Sequence, residues 1–296
     1  MSFNALAKNV VMTPFNLLYR INPVWNAKLL FRLKTGRRLR LDAPKTYNEK
    51  LQWIKLYDKN PLMPRCVDKY AVRGYVAEKG LGRLLNELYW QGEDPADIPW
   101  DALPEEFVVK VTNGSTFNIL CRDKKALDRA AAVGKLRRWL KAKYLPCYGE
   151  WFYGKVKPTV IVEKLLRNHP GTQALDDYKV YCFNGEPRYI SVDAGRQTGG
   201  HTKNIYDAQW NLQEGYEMAY PADGVAAPKP ACLEELLECA RALSRDFLHV
   251  RVDFYIVDGR PVFGELTFAN SAGFGRVEPE EFALKMGEYL RLPIDK

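Results

Sequence analysis

Apolar and polar positions alternate with period two in several short runs, most sharply from Val250 to Phe268, VRVDFYIVDGRPVFGELTF. Its halves, Val250 to Val257 and Pro261 to Phe268, flank Asp258-Gly259, a pair that two-residue hairpin turns prefer because both central positions need positive φ. A β-hairpin is predicted. Successive side chains of a strand point to opposite faces, so Arg251, Asp253 and Tyr255 share one face, and Glu265, Thr267 and Ala269 share one face of the partner. If those faces coincide, Asp253 and Glu265 meet beside an arginine. Two carboxylates repel unless a proton or a cation joins them, and an oxygen-only ligand set suits Mg2+. The plainer reading of the same alternation is a sheet with one solvated face.

The period recurs upstream. Asp177 to Phe183 (DYKVYCF) sets Asp177, Lys179 and Tyr181 on one face, turns at Asn184-Gly185 and returns from Arg188 to Val192. Phe107 to Val111 (FVVKV) is an apolar strand with one lysine, Lys110, which must reach an edge or a negative partner. After it, Thr112-Asn113-Gly114-Ser115-Thr116 forms a small-residue loop whose N–H groups can cradle phosphate oxygens, and Phe117 to Cys121 returns as a strand; a plain hairpin is the alternative. Thr159 to Leu166 (TVIVEKLL) is a β-branched strand ending in Glu163-Lys164-Leu165, where a backbone edge can pair with a purine. The helical period predicts TYNEKLQWIKLYDK, opened by a Thr46–Glu49 capping box with Leu51, Ile54 and Leu56 toward the core. Further helices are predicted over Val67–Glu78, where Lys69 and Arg73 share a face able to hold an anion, and over Leu127–Tyr144, Leu233–Phe247 and Pro279–Leu290. QGEDPADIPWDALPEE reads as a connecting loop with a boundary near 105, and the glycine-rich stretch 195–204 reads as a mobile loop over a site.

Composition adds little until the charge is located. The formal net charge is +8, and residues 1–41 carry eight basic residues and no acid, leaving basic and acidic residues equal at 36 each elsewhere. This N-terminal segment interleaves cations with Phe15, Leu17, Leu18, Tyr19, Trp25, Leu29, Leu30, Phe31 and Leu33. It lies on an anionic membrane, where each cation contributes about 1 kcal/mol, contacts a polyanion, or packs as a helical arm with a solvated basic face. No nucleic-acid module follows, so nucleic acid is not an expected partner. The six cysteines lack CxxC spacing and the three histidines lie apart, which argues against a zinc site, a disulfide framework or a Cys-His nucleophile. No apolar run reaches the ~20 residues of a membrane span, and no signal peptide opens the chain. A cytoplasmic protein is expected, peripheral to the inner face of the plasma membrane if residues 1–41 dock there.

Six blocks occur in order: PKTYNEKLQW, DKYAVR, LPEEFVVK, KPTVIVEKLL, DYKVYCFNGEPRYI and VRVDFYIVDGRPVFGELTF. Together they resemble the TupA-like branch of the ATP-grasp superfamily, associated with teichuronopeptide biosynthesis. The resemblance implies an α/β (α+β) ATP-grasp fold whose two antiparallel-sheet subdomains clasp ATP. The divisions expected are a basic N-terminal segment (1–41), a helical region (42–105), a small subdomain with the phosphate flap (106–166) and a large subdomain with the Mg2+ site (167–296). It implies that Lys110 contacts the α/β-phosphates, that Asn113, Gly114, Ser115 and Thr116 close over the β/γ-phosphates, that Glu163 with the Lys164–Leu165 backbone reads adenine, and that Lys179 reaches the phosphates. Asp253 and Glu265 would bind Mg2+ with Thr267, which stands where many ATP-grasp enzymes have asparagine, and Arg251 would steady the anionic intermediate. Thr116 departs from the branch's His-Gly-Ser-Gly flap. The activity implied is ATP-dependent carboxylate–amine ligation through an acyl phosphate, acting on a uronic-acid or polyglutamyl unit of a cell-surface polymer. A sugar kinase on the same fold and a non-catalytic anionic-glycan-binding protein are the alternatives.

Overall fold

The computed structural model describes residues 3–114, 116–167, 175–194 and 202–294. In chain order the helices are α1 (Phe3–Ile21), α2 (Pro23–Thr35), α3 (Tyr47–Tyr57), α4 (Met63–Cys66), α5 (Val72–Glu78), α6 (Arg129–Leu140), α7 (Leu233–Ser244) and α8 (Glu280–Tyr289). The strands are β1 (Leu88–Gly92), β2 (Phe107–Val111), β3 (Asn118–Cys121), β4 (Val160–Lys164), β5 (Asp177–Phe183), β6 (Glu186–Ala194), β7 (Thr202–Asp207), β8 (Glu217–Met218), β9 (His249–Val257), β10 (Arg260–Thr267) and β11 (Val277–Glu278). They fall into two units.

The first unit comprises Pro61–Tyr144 and Phe152–Leu166 with Met1–Ala7. It is built on an antiparallel sheet in the order β1-β4-β2-β3. Alternation sends Phe107, Val109 and Val111 of β2, with Val160 and Val162 of β4, into one core beside Leu136 of α6. Lys110 and Glu163 therefore emerge together on the other face, Lys110 opposite Ile161 and Glu163 opposite Val108. Two expectations are corrected in this unit. The predicted helix Val67–Glu78 begins only at Val72, because Asp68 turns its carboxylate back on the N–H groups of Tyr70 and Ala71 and so competes with the helical ladder. The acidic, proline-containing loop hides β1 at its start, which pairs with β4.

The second unit comprises Lys8–Asn60, Leu145–Trp151 and Arg167–Lys296. Its sheet is antiparallel in the order β10-β9-β5-β6-β7. One face carries Val180, Cys182, Val250, Val252 and Phe254, all buried, and α7 packs on these strands with Leu236, Cys239, Ala240 and Leu243. The other face carries the polar half of the alternation. Helix α3 opens with the predicted capping box, Thr46 accepting from Glu49 N and Glu49 accepting from Thr46 N. Leu51 and Ile54 are buried as expected, while Leu56 is half-buried. A third polar row was not foreseen: Asn48, Gln52 and Lys55 are also buried and donate to the carbonyls of Ala272, Gly273 and Gly275. These bonds hold a turn in which Ser271 (φ 50°) and Ala272 (φ 52°) are both left-handed. Of the expected loop 195–204, residues 195–201 lie outside the described residues, and 202–204 belong to β7.

Candidate active site

Asp258 (φ 50°) and Gly259 (φ 73°) turn the predicted β9–β10 hairpin with both residues left-handed. From that turn the pairs run Val257–Arg260, Ile256–Pro261, Tyr255–Val262 and Phe254–Phe263. Continued, this register sets Gly264 against Asp253 and turns Glu265 to the opposite face. A bulge between Phe263 and Glu265 prevents that, and beyond it the pairs are Asp253–Glu265, Val252–Leu266 and Arg251–Thr267. The extra residue is what brings the two carboxylates together. The β5–β6 hairpin repeats the device: Asn184 (φ 49°) and Gly185 (φ 83°) make the turn, and a register shift between Tyr181 and Cys182 sets Asp177 opposite Asp193.

Arg251 gathers the hairpin's polar groups. Its Nε and Nη2 donate to Asp253 Oδ1 and Oδ2, each at 2.6 Å, and Nη2 lies 3.2 Å from Thr267 Oγ1 and 3.6 Å from Glu265 Oε1. Thr267 Oγ1 donates to Glu265 Oε1 at 3.4 Å. On the neighbouring strand Lys179 stands opposite Asp253, 2.8 Å from Asp177 and 3.4 Å from Asp193, and Lys203 lies 3.2 Å from Asp193. Asp177, Lys179, Asp193, Lys203 and Asp253 are all buried. Burial raises the Asp253 carboxyl above the usual carboxylate range, with Arg251 and Lys179 pulling the other way. For Lys179 and Arg251, burial lowers the pKa but the surrounding carboxylates outweigh it, so both are pushed up and stay charged. Among the described residues, three cations thus face four carboxylates. Among the described residues no group of three or more His, Cys, Asp and Glu side chains forms a metal cage. Asp253, Glu265 and the Thr267 hydroxyl are instead the smaller oxygen set that Mg2+ accepts when phosphates and water complete its shell, and their chemistry fits that ion.

Behind the hairpin, Tyr47 Oη lies 2.9 Å from His249 Nε2 and 2.6 Å from Asn270 Oδ1, while His249 Nδ1 lies 3.1 Å from Phe268 O. Burial pushes His249 down to about 4, so the ring is neutral with its one proton on Nδ1 toward Phe268 O, while Tyr47 Oη donates its proton to Asn270 Oδ1. This buried chain ties the end of β10 to the first residue of α3.

In the first unit, Glu163 is held at both oxygens: Lys110 Nζ lies 2.8 Å from Oε2 and Arg73 Nη1 2.9 Å from Oε1. Arg73 Nη2 also donates to Asn86 O at 2.9 Å. The Lys164 N–H donates to Glu87 O at 3.0 Å, and its carbonyl accepts from Asn86 Nδ2 at 2.8 Å. In the loop, Lys69 Nζ donates to Gly114 O at 2.6 Å and Tyr144 Oη donates to Asn113 O, while Thr116 is left-handed (φ 64°). Ser115 lies outside the described residues.

Two sets of expected residues are therefore each brought together: Lys110 with Glu163, and Lys179, Arg251, Asp253, Glu265 and Thr267. Lys110 and Glu163, expected at opposite ends of a nucleotide, contact one another directly. Reading the sequence missed Asp193 and Lys203 and did not connect Arg73 to Glu163. Lys203 lies within the glycine-rich stretch 195–204 that was read as a loop and so hid the start of β7, and Asp193 shares a face with Lys179 only because of the β5–β6 register shift.

A profile of the TupA-like ATP-grasp family matches residues 49–291. No curated protein matches the chain. Among solved structures, D-alanine–D-alanine ligase from Bacillus anthracis complexed with ATP is similar at 16% identity, over 69% of this chain and 55% of that one, with a TM-score of 0.41. D-alanine–D-alanine ligase from Helicobacter pylori is similar at 14% identity, over 85% and 68%, with a TM-score of 0.47. L-amino acid ligase from Bacillus licheniformis is similar at 16% identity, over 79% and 51%, with a TM-score of 0.47. The chain spans 55% of the length of the first of these ligases. With the profile matched over more than three quarters of its length, the chain belongs to the TupA-like ATP-grasp family.

Proposed function

We propose that the protein is an ATP- and Mg2+-dependent carboxylate–amine ligase. The observation that carries this reading is the bulged β9–β10 hairpin, which sets Asp253 against Glu265 with Thr267 and Arg251 beside them, in a chain of this family. Mg2+ held by Asp253 and Glu265, with Thr267, would offset the negative charge that builds as a phosphoryl group is transferred. The chain's own residues do the rest. Lys179 and Lys203 bind and orient phosphate oxygens, and the family resemblance gives Lys110 a phosphate-binding role as well, with Arg73 beside it on Glu163. Glu163 holds those two cations in place and, once phosphates take them over, accepts from the adenine amine. The Lys164 carbonyl and Leu165 backbone read the ring edge, and the Asn113–Thr116 loop covers the β- and γ-phosphates. A substrate carboxylate oxygen attacks the γ-phosphorus, ADP leaves, and the acyl phosphate that results is attacked by an amine, releasing phosphate and forming the amide. Arg251 stabilises the oxyanion of that second step.

Following the family resemblance, the carboxylate is a uronic-acid or polyglutamyl unit of a cell-surface polymer and the amine is an amino acid. Such polymers are assembled beside a membrane, and the reading includes peripheral contact through residues 1–41 from the cytoplasmic side. The test is phosphate release from ATP with carboxylate and amine supplied together and separately, with the product weighed by mass spectrometry. A ligase releases phosphate only with both present, and Asp253→Asn/Glu265→Gln abolishes release. Phosphate appearing on a sugar hydroxyl, with none set free, would replace this reading with a kinase. No Mg2+-dependent nucleotide binding at all would leave a glycan-binding protein.

A further inference from the structure

Every fourth residue from Leu17 to Leu33 is large, apolar and turned outward: Leu17, Ile21, Trp25, Leu29 and Leu33 are between 42% and 74% exposed. Residues four apart share a face of a helix, so Leu17 and Ile21 share one at the end of α1, and Trp25, Leu29 and Leu33 share one, an apolar stripe, along α2, the two helices parted by extended backbone at Asn22 (φ −148°). The other face of α2 is already occupied. Asn26, Ala27, Leu30 and Phe31 are buried in the second unit, and Asn26 Nδ2 donates to Cys147 O at 2.7 Å. Helix α2 is thus fixed by one side and leaves the stripe on the surface of a folded unit.

The charges beside the stripe say what covers it. Arg20, Lys28 and Arg32 are exposed, Lys28 and Arg32 one turn apart alongside Leu29, and no acidic residue occurs before Asp42. A polyanion would engage the cations but leave five apolar side chains in water. A second copy packed stripe to stripe would bring like charges together. An anionic bilayer satisfies both features, with leucines in the acyl boundary, tryptophan at headgroup depth and cations at the lipid phosphates. No described helix is long and apolar enough to cross a membrane. We propose that the exposed apolar residues Leu17 and Ile21 of α1 and Trp25, Leu29 and Leu33 of α2, flanked by Arg20, Lys28 and Arg32, dock the protein on an anionic lipid surface. This deepens the membrane step of the proposed function and is independent of the ligase chemistry.

The experiment is co-sedimentation of the full chain with sucrose-loaded vesicles of phosphatidylcholine alone and of phosphatidylcholine with phosphatidylglycerol, at low and high salt. Partitioning about tenfold stronger onto the anionic vesicles, and weakened by salt, is expected. Trp25→Ser/Leu29→Ser/Leu33→Ser should abolish binding to both vesicles, and Lys28→Glu/Arg32→Glu should abolish the anionic preference. All three replaced apolar positions are exposed, so the melting temperature, and any shift of it with Mg·ATP, should not change; this separates docking from the nucleotide site. No sedimentation with either vesicle overturns the proposal. So does binding that the triple variant retains, or a dimer in light scattering that the triple variant dissolves.

Discussion

Gly264→Ala tests how the two carboxylates of the β9–β10 hairpin come to face one another. A Cβ on Gly264 would lie 2.9 Å from the carbonyl oxygen of Asp253 and 3.4 Å from its carbon. The clashing atom is backbone in a paired strand and cannot rotate away, so the strands must part by a few tenths of an ångström at the bulge. Overpacking of this kind costs about 1–3 kcal/mol, which at roughly 2 °C per kcal/mol in a chain of this length is a loss of about 2–6 °C. The displaced backbone is that of Asp253 itself, so the pair Asp253–Glu265 opens with it. Mg·ATP at about 100 times its Kd should stabilise wild type by about 2.7 kcal/mol. A tenfold weaker variant would lose about half of that, because each tenfold is about 1.4 kcal/mol. The assay is thermal melting with and without Mg·ATP. The control is Leu236→Ala, a fully buried position on α7, which should cost about 2–5 kcal/mol without touching the carboxylates. The reasoning fails if Gly264→Ala melts lower yet keeps the wild-type ligand shift, or if both variants lose that shift alike.

Two further predictions concern single residues. Thr116 is a β-branched residue at φ 64°, where L side chains are strained by about 1–2 kcal/mol, so Thr116→Gly should leave stability unchanged or raise it by about 1 kcal/mol while tightening Mg·ATP; a clear loss in urea melts would count against a strained loop. His249 is lowered by burial to about 4 from 6.5, so between these values the unfolded chain binds the extra proton: the stability it contributes is full above pH 6.5 and lost as pH falls through 4, about 3 kcal/mol in all. Urea melts of wild type and His249→Gln across pH 4 to 7 should converge as pH falls, and parallel profiles would show that the ring does not carry this slope.

Both hairpin turns were legible in the sequence because Asp258-Gly259 and Asn184-Gly185 tolerate two consecutive left-handed residues, and all four adopt them. The chemistry-bearing strands were legible for a similar reason, since a lone Lys110 in FVVKV and the acids in VRVDF and FGELT stand out against apolar neighbours. Register was not. A two-residue turn followed strictly would have faced Glu265 away from Asp253, and the expectation that they meet holds only through a bulge that the reading did not include. Gly264 was its signal, an isolated glycine within a strand pattern. The polar row Asn48, Gln52 and Lys55 was hidden for another reason: polar side chains read as solvent-facing, and it is the carbonyls of the turn around Ser271 and Ala272, with that of Tyr148 for Lys55, that they bind.

Burial separates the two readings of the polar alternation. A solvated sheet face would leave its ionisable groups exposed, yet Asp253 is 6% exposed, Lys179 4% and Asp193 2%. Taking such groups from water costs several kcal/mol per ion, and even good pairing seldom does more than recover it. An apolar face would have served stability at least as well, since the opposite face of the same sheet is apolar under α7. Among the described residues Arg251, Lys179 and Lys203 meet four carboxylates, and burial holds Asp253 above its usual range. On the proposed reading, Asp253 and Glu265 would hold a divalent cation, and Lys179 and Lys203 would take up the negative charge of the polyphosphate bound with it. The polar face is therefore better explained by a ligand than by the fold.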